Sequence, residues 1–217
     1  MEQILQLDTD LMLLLNFDGG GFADQFWWYV SKTTTWLWLY ALLLWFLWHQ
    51  CGASRVAWRR FAGFVILTAI VVLLADQISS GLIKPLVMRP RPSRPDSGIS
   101  GFIHTVNNYR GGHYGFVSSH AANTWGVALW FILLVLHRNK CFADAPASSP
   151  VPIRPYAIVP MLVAYSLLSC YSRIYLGVHY PGDILGGLLV GTLAALITYY
   201  VLFPLVNKRV KSAKSTE

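Results

Sequence analysis

Residues 61–83 read FAGFVILTAIVVLLADQISSGLI, twenty-three consecutive positions whose one formal charge is Asp76. A helix needs about 20 apolar residues to cross the hydrocarbon core of a bilayer. There, every backbone N–H and C=O must find its partner inside the segment. Similar runs recur at 26–48, with Lys32 as the one awkward charge, and at 121–137, 156–171 and 181–206. The third and fourth of these five are near the lower length limit for a span. Only 12% of the 217 residues are charged and 55% are hydrophobic, whereas a soluble domain has about 25% charged residues. The pattern predicts an all-α integral membrane protein, a bundle of five to six transmembrane helices in a single domain, 1–217.

The ends of the chain refine this expectation. The N-terminal stretch MEQILQLDTD has no basic n-region and no small-residue cleavage site, so it does not read as a signal peptide. Residues 1–22 read as an interfacial or partly inserted segment, with Ile4, Leu7, Leu11 and Leu14/Leu15 on one face and a stop at Gly19–Gly21. Six of the nine tryptophans lie between Trp27 and Trp48, as suits anchoring at the membrane interfaces. Cys51, Cys141 and Cys170 are odd in number and lack metal-ligand spacing, which argues against a disulfide framework or a zinc site. The net charge of +7 does not indicate nucleic acid as a partner, because the basic residues form no continuous stripe.

Those basic residues set an orientation. Arg55, Arg59 and Arg60 follow the first run, and Arg138, Lys140 and Arg154 follow the third, in or beside the Pro/Ser-rich loop 144–155. Lys208, Arg209, Lys211 and Lys214 lie in the basic tail, 207–217. In an alternating five-span chain all three groups share one side, which the positive-inside rule makes cytoplasmic. Two polar segments, 84–119 and 171–181, then emerge together on the opposite face.

The first of these carries Lys84, Arg89, Arg91 and Arg94 within eleven residues, interrupted by prolines expected to stop the helix. Four cations on the face that disfavours them call for an anionic ligand; the blander reading is a basic loop near lipid headgroups. The same segment ends in Ser118, Ser119 and His120, good residues for capping the third span. A helix N-terminus also offers free N–H groups and a positive dipole end to a phosphate. The second segment supplies Arg173, then His179, then Asp183 in the first turn of the last span. An aspartate four residues after a histidine can fix the ring's tautomer.

Three patterns in register resemble the type 2 phosphatidic acid phosphatase (PAP2) family of membrane lipid phosphatases, which shares its pocket with vanadium haloperoxidases. The family's K-x6-R-P is matched by Lys84 with Arg91-Pro92, and its S-R-x5-H-x3-D by Ser172-Arg173, His179 and Asp183. Its P-S-G-H stands here as Val117-Ser118-Ser119-His120, with valine for proline and serine for glycine. The resemblance implies a PAP2/haloperoxidase-like helical core and a two-step displacement that uses no cofactor and no metal. It casts His179 as nucleophile, Asp183 as the group orienting it, and His120 as the acid and then the base. Lys84, Arg91, Ser118, Ser119 and Arg173 would bind the phosphoryl oxygens.

Further residues are expected at the substrate rim: Arg89, Arg94, Tyr109, Arg110 and His113. Asp76 could orient Lys84 or another basic group, or form a structural pair with Gln77 and Ser79/Ser80, the latter being favoured. Gly187 and Gly191 read as a close helix contact. The expected activity is hydrolysis of a lipid phosphate or diphosphate at the periplasmic face of a bacterial inner membrane. Lipid A phosphate, undecaprenyl diphosphate and phosphatidylglycerol phosphate are the candidate substrates. The rival readings are a non-catalytic phosphate- or lipid-binding membrane protein and, further off, vanadate-dependent haloperoxidase chemistry.

Overall fold

The computed structural model describes residues 2–51, 55–142 and 155–207, and helices supply nearly all of their regular structure. In chain order these are α1 (Glu2–Leu15), α2 (Gly20–Ser31), α3 (Leu37–Cys51), α4 (Arg55–Asp76), α5 (Lys84–Val87), α6 (Ser119–Leu136), α7 (Arg138–Cys141), α8 (Pro155–Tyr175) and α9 (Pro181–Ile197). A π-helical stretch, Gln77–Ile83, joins α4 to α5 in one rod, and another, Thr198–Leu202, extends α9. Stretches 57–87, 119–136, 157–175 and 181–207 are long and apolar enough to cross a membrane. The basic tail from residue 208, and residues 144–154 of the Pro/Ser-rich loop, lie outside the described residues.

Two expectations about helix continuity are corrected. The run 26–48 is not one rod. It breaks at Lys32, which is extended (ψ 129°), and a 3-10 turn at Thr33–Trp36 leads into α3. Three successive threonines, each stiff at χ1, make poor helix interior. The break also satisfies the carbonyls that end α2: Tyr29 accepts from the Lys32 N–H (3.0 Å) and Thr35 Oγ1 (2.6 Å), and Val30 accepts from Trp36 Nε1 (2.8 Å). Conversely, the rod from α4 runs on through Pro85, because the π-helical stretch before it, where the Lys84 N–H bonds the Ser79 carbonyl five residues back, shifts the ladder that the missing N–H interrupts. It ends at Met88, in the left-handed region at φ 50°.

At the centre α6 packs against α9, α8 and α4. The approach to α9 is close because the contact is made of small residues. A Cβ on Gly187 would lie 2.5 Å from the Ser118 carbonyl oxygen, and one on Gly191 would collide with the Ala122 carbonyl oxygen and the Gly126 backbone. The opposite face of α9 exposes Leu185, Leu189 and Leu193 at four-residue spacing, a stripe that faces lipid in this membrane-embedded protein. At one end of the bundle Arg138 Nε donates to Gln50 Oε1 (2.6 Å), and Phe64 packs on Phe142 and Phe203. The polar segments gather at the other end.

Helix α1 rises about 21 Å, short of the roughly 30 Å hydrocarbon core. Ile4, Leu7, Leu11 and Leu14 do share an exposed face. The inner face is anchored by Met12, fully buried against Ile103, Ala121, Cys170, Ile174, Tyr180 and Ile184. Just past the helix, Asn16 Nδ2 donates to the carbonyls of His104, Ile174 and Tyr175. The three cysteines are free and buried.

Candidate active site

Backbone hydrogen bonds fold segment 88–118 back over the ends of α8 and α9. Ser93 N–H donates to the Gly177 carbonyl (3.1 Å), Gly115 N–H to that of Arg89 (2.8 Å), and Ser118 N–H to that of Asp183 (2.9 Å). Gly177 makes its turn at φ +71°, with no room for a side chain beside Ile103 and the His104 carbonyl. The three sequence patterns, dispersed over a hundred residues, therefore meet at one end of the bundle.

His179 and Asp183 are fully enclosed, 1% and 0% exposed. The ring Nδ1 lies 3.3 Å from Asp183 Oδ2. The same oxygen accepts the Tyr180 N–H (3.1 Å), which caps α9 just ahead of Pro181. Its partner, Oδ1, accepts from Arg89 Nη1 (3.2 Å). With Nδ1–H committed to the carboxylate, the ring is set to present Nε2 as its free lone pair. Gly115 closes the back of the pair: a Cβ there would sit 2.8 Å from Asp183 Oδ2.

Cations surround this pair. Arg91 Nε donates to the Tyr114 carbonyl (3.1 Å), Arg173 Nη2 to Tyr109 Oη (3.3 Å), and Arg173 Nη1 to Ser31 Oγ. Lys84 Nζ donates to Ser119 Oγ (2.9 Å) and, more weakly, to Ser80 Oγ (3.4 Å), which itself donates to Asp76 Oδ1 (3.2 Å). Asp76 thus reaches Lys84 through Ser80, so its structural pairing and its orienting role are one chain of bonds. Ser118 caps α6, its Oγ accepting from the Ala121 N–H (3.4 Å). Among the described residues, Arg91 Nη1, Arg173 Nε and His120 Nε2 are buried without a hydrogen-bond partner. Buried donors in that state are costly unless a ligand completes them, and here they flank one histidine.

Burial, and then the charges of Arg91, Arg173 and Lys84, hold the His179 ring well below the usual histidine range. Arg91, itself lowered to about 10 by burial and by Arg173, remains charged. A depressed pKa keeps His179 neutral, and so nucleophilic, at pH values where an ordinary histidine is cationic. In the ligand-free protein labelled with 15N-histidine, the His179 ring should stay neutral as pH falls through 6.5. A midpoint at or above 6.5 would contradict the cationic enclosure.

The rim residues divide. Tyr109 touches Arg173 and meets the edge of Trp28 at 5.5 Å, and Arg110 is exposed. Arg94 braces the loop, donating to the carbonyls of Gly111 (2.6 Å) and Gly112 (3.4 Å). His113 pairs with Asp96 at 3.0 Å, both side chains largely exposed. Arg89 is not at the rim: it stands behind Asp183, its guanidinium 3.7 Å from the Tyr180 ring centroid. Sequence reasoning did not find Asp8, Ser31 or Gly115, each brought to the site by a fold-back that no local pattern announces; Ser80, expected only as a partner of Asp76, also bonds Lys84 one turn along the same rod. Two spaces adjoin the centre. A cavity of about 400 Å³ runs from His120 between Tyr40, Thr68, Val127 and Tyr165, and an open bowl of about 750 Å³ lies over Trp28, Arg94, Asn107, Tyr109 and Arg110.

Known proteins resemble this chain over most of its length. Residues 62–206 match the family model described as PAP2 superfamily. A lipid A 4'-phosphatase of Bacteroides thetaiotaomicron is 30% identical over 212 residues, covering 96% of this chain and 82% of that protein. Another, from Porphyromonas gingivalis, is 32% identical over 201 residues, covering 93% of this chain and 75% of that one. The crystal structure of Aquifex aeolicus LpxE is 20% identical, with a TM-score of 0.48, covering 89% and 95% of the two chains.

Proposed function

Because the chain belongs to the PAP2 superfamily and is a membrane lipid phosphatase, we propose that it removes the 4'-phosphate of lipid A through a phosphohistidine on His179. The observation that carries the substrate is the pair of relatives so named, aligned over nearly the whole of this chain. The site's shape supports it. A sugar phosphate with attached hydrocarbon needs a polar seat and an apolar one, and the open bowl and the His120 cavity are such a pair.

In this reading the phosphoryl group sits among Lys84, Arg91, Arg173 and the N-terminus of α6. Nε2 of His179 attacks phosphorus as the P–O ester bond breaks, and His120 gives a proton to the departing sugar oxygen. Water then attacks the phosphohistidine, His120 taking its proton, and the P–N bond breaks to release inorganic phosphate. Phosphoryl transfer asks chiefly for positioning and charge stabilisation, which fixed cations supply; chelators should therefore leave the rate unchanged. The basic residues around Arg59, Arg60 and Arg138 lie at the far end of the bundle, so the positive-inside rule supports a periplasmic site in the inner membrane of a bacterium. The single-domain organisation, 1–217, belongs to the same proposal.

The test is the full-length protein in detergent micelles with bis-phosphorylated lipid A, the product's remaining phosphate located by mass spectrometry. Loss of the 4'-phosphate alone is expected. Loss of the phosphate at the 1-position, or faster hydrolysis of undecaprenyl diphosphate, would overturn the substrate assignment.

A further inference from the structure

The inner face of α1 carries a carboxylate to the back of the His179–Asp183 pair. We propose that Asp8 is a positioning residue for the reaction: acting through Arg89 and the Gly182 N–H, it holds the Asp183 carboxylate in place against His179. The proposal rests on His179 and Asp183 being the nucleophile and its orienting partner.

Each oxygen of Asp8 has one task. Oδ2 accepts from Arg89 Nη1 at 2.7 Å, and the same nitrogen reaches Asp183 Oδ1 at 3.2 Å. Oδ1 accepts the Gly182 N–H at 2.7 Å, in the first turn of α9 beside Asp183 itself. Asp8 therefore grips both the cation that holds the Asp183 side chain and the backbone that carries it. The side chains of Asp8, Arg89 and Asp183 are 13%, 19% and 0% exposed, so these charge-assisted bonds are shielded from water and stronger for it. The approach is tight enough that a Cβ on Gly182 would lie 2.8 Å from Asp8 Oδ2.

Docking α1 does not need this carboxylate. Met12 in its apolar nest and the three carbonyls held by Asn16 already fasten the helix. An acid kept at the same surface, facing one arginine that is shared with the buried Asp183, serves the pair rather than the packing. Without Asp8, Arg89 keeps the Tyr180 ring but has one carboxylate instead of two, and its Nη1 is free to leave Asp183 Oδ1. The carboxylate can then rotate, and the ring it orients rotates with it.

The experiment uses the full chain with Asp8→Asn, Arg89→Gln and the double variant, assayed on a lipid phosphate alongside Tm. A residue that orients a reacting group should affect kcat more than KM, by about tenfold or more, as for other outer partners of a working side chain. Expected are such a fall in kcat for Asp8→Asn, a KM within about twofold of wild type, and a double variant no slower than Arg89→Gln alone. Wild-type kcat in a folded Asp8→Asn protein, or losses that multiply in the double variant, would overturn the proposal. If Asp8→Asn does not fold, Asp8→Glu, which keeps the charge, must retain most of kcat, and its failure to do so counts against the proposal equally. The 15N-histidine spectrum gives a readout independent of turnover. Asp8→Asn should move the His179 ring from a single Nδ1–H tautomer toward a mixture. An unchanged ring signal refutes the positioning role even if wild type hydrolyses no lipid phosphate, a result that would count only against the function assigned above.

Discussion

His179→Ala is expected to lower lipid phosphate hydrolysis by roughly 10⁴-fold or more, the scale seen when a nucleophile that works as part of a unit is removed. The reason lies in the ring's surroundings. His179 is enclosed, its Nδ1 is 3.3 Å from Asp183 Oδ2, and it is ringed by cations that suit the phosphoryl oxygens. The alanine variant keeps Lys84, Arg91 and Arg173, so binding of inorganic phosphate, measured by calorimetry, should persist while turnover disappears. That split separates an enzyme from a phosphate-binding membrane protein. Acid-labile radiolabel trapped from a 32P-labelled substrate should map to the peptide containing His179 and be absent from the variant. If hydrolysis survives the substitution, or label appears on another residue, the nucleophile assignment fails.

Much of this centre could be read from the chain alone, because helix length and motif spacing are local properties. The run at 61–83 announces a span by length and apolarity, and the corresponding rod is present at 57–87. Lys84 with Arg91, Ser118 through His120, and Arg173 through Asp183 stand out together because hydropathy and the basic residues put their segments on one face of the membrane. The structure brings them into contact through the fold-back of segment 88–118. The pair Gly187 and Gly191 likewise forecast a close helix contact, and the helix that makes it is α6.

What escaped was set by tertiary context. The break at Lys32 is invisible to hydropathy, since Thr33–Thr35 are apolar enough to pass inside a span; their stiffness and the carbonyls of Tyr29 and Val30 decide the matter. Pro85 is the residue type that stops a helix, but the π-helical stretch just before it lets the rod run on. Arg89 is two residues from Arg91 and looked like one more rim cation. Segment 88–118 turns so that Arg91 faces the His179 pocket while Arg89 faces Asp8 and Asp183. Asp8 itself was hidden by its own helix: the exposed leucines dominate the pattern, and the single acid on the other face reads as incidental until the fold supplies Arg89. Long-range ion pairs carry no sequence periodicity, so no scan of spacing would have joined residues 8, 89 and 183.

Replacing His120 with glutamine is expected to reduce hydrolysis of a sugar-linked phosphate by about 10²–10⁴-fold, the usual contribution of a positioned proton donor. A sugar alkoxide is a poor leaving group and needs the proton; a nitrophenolate is a good one and does not. The variant should therefore lose far less of its first-step rate on an aryl phosphate than on lipid A. The second step still requires a base to take the proton from water, so phosphohistidine should accumulate on the aryl substrate. The signature is a burst of nitrophenol, about one equivalent per enzyme, followed by slow turnover, where wild type shows none. His120 Nε2 is buried without a partner among the described residues and lines the cavity reserved here for hydrocarbon, the side on which a lipid leaving group would stand. Equal losses on both substrates with no burst would mean that His120 shapes the pocket without moving a proton. The departing sugar oxygen would then have to draw its proton from one of the cations or from solvent.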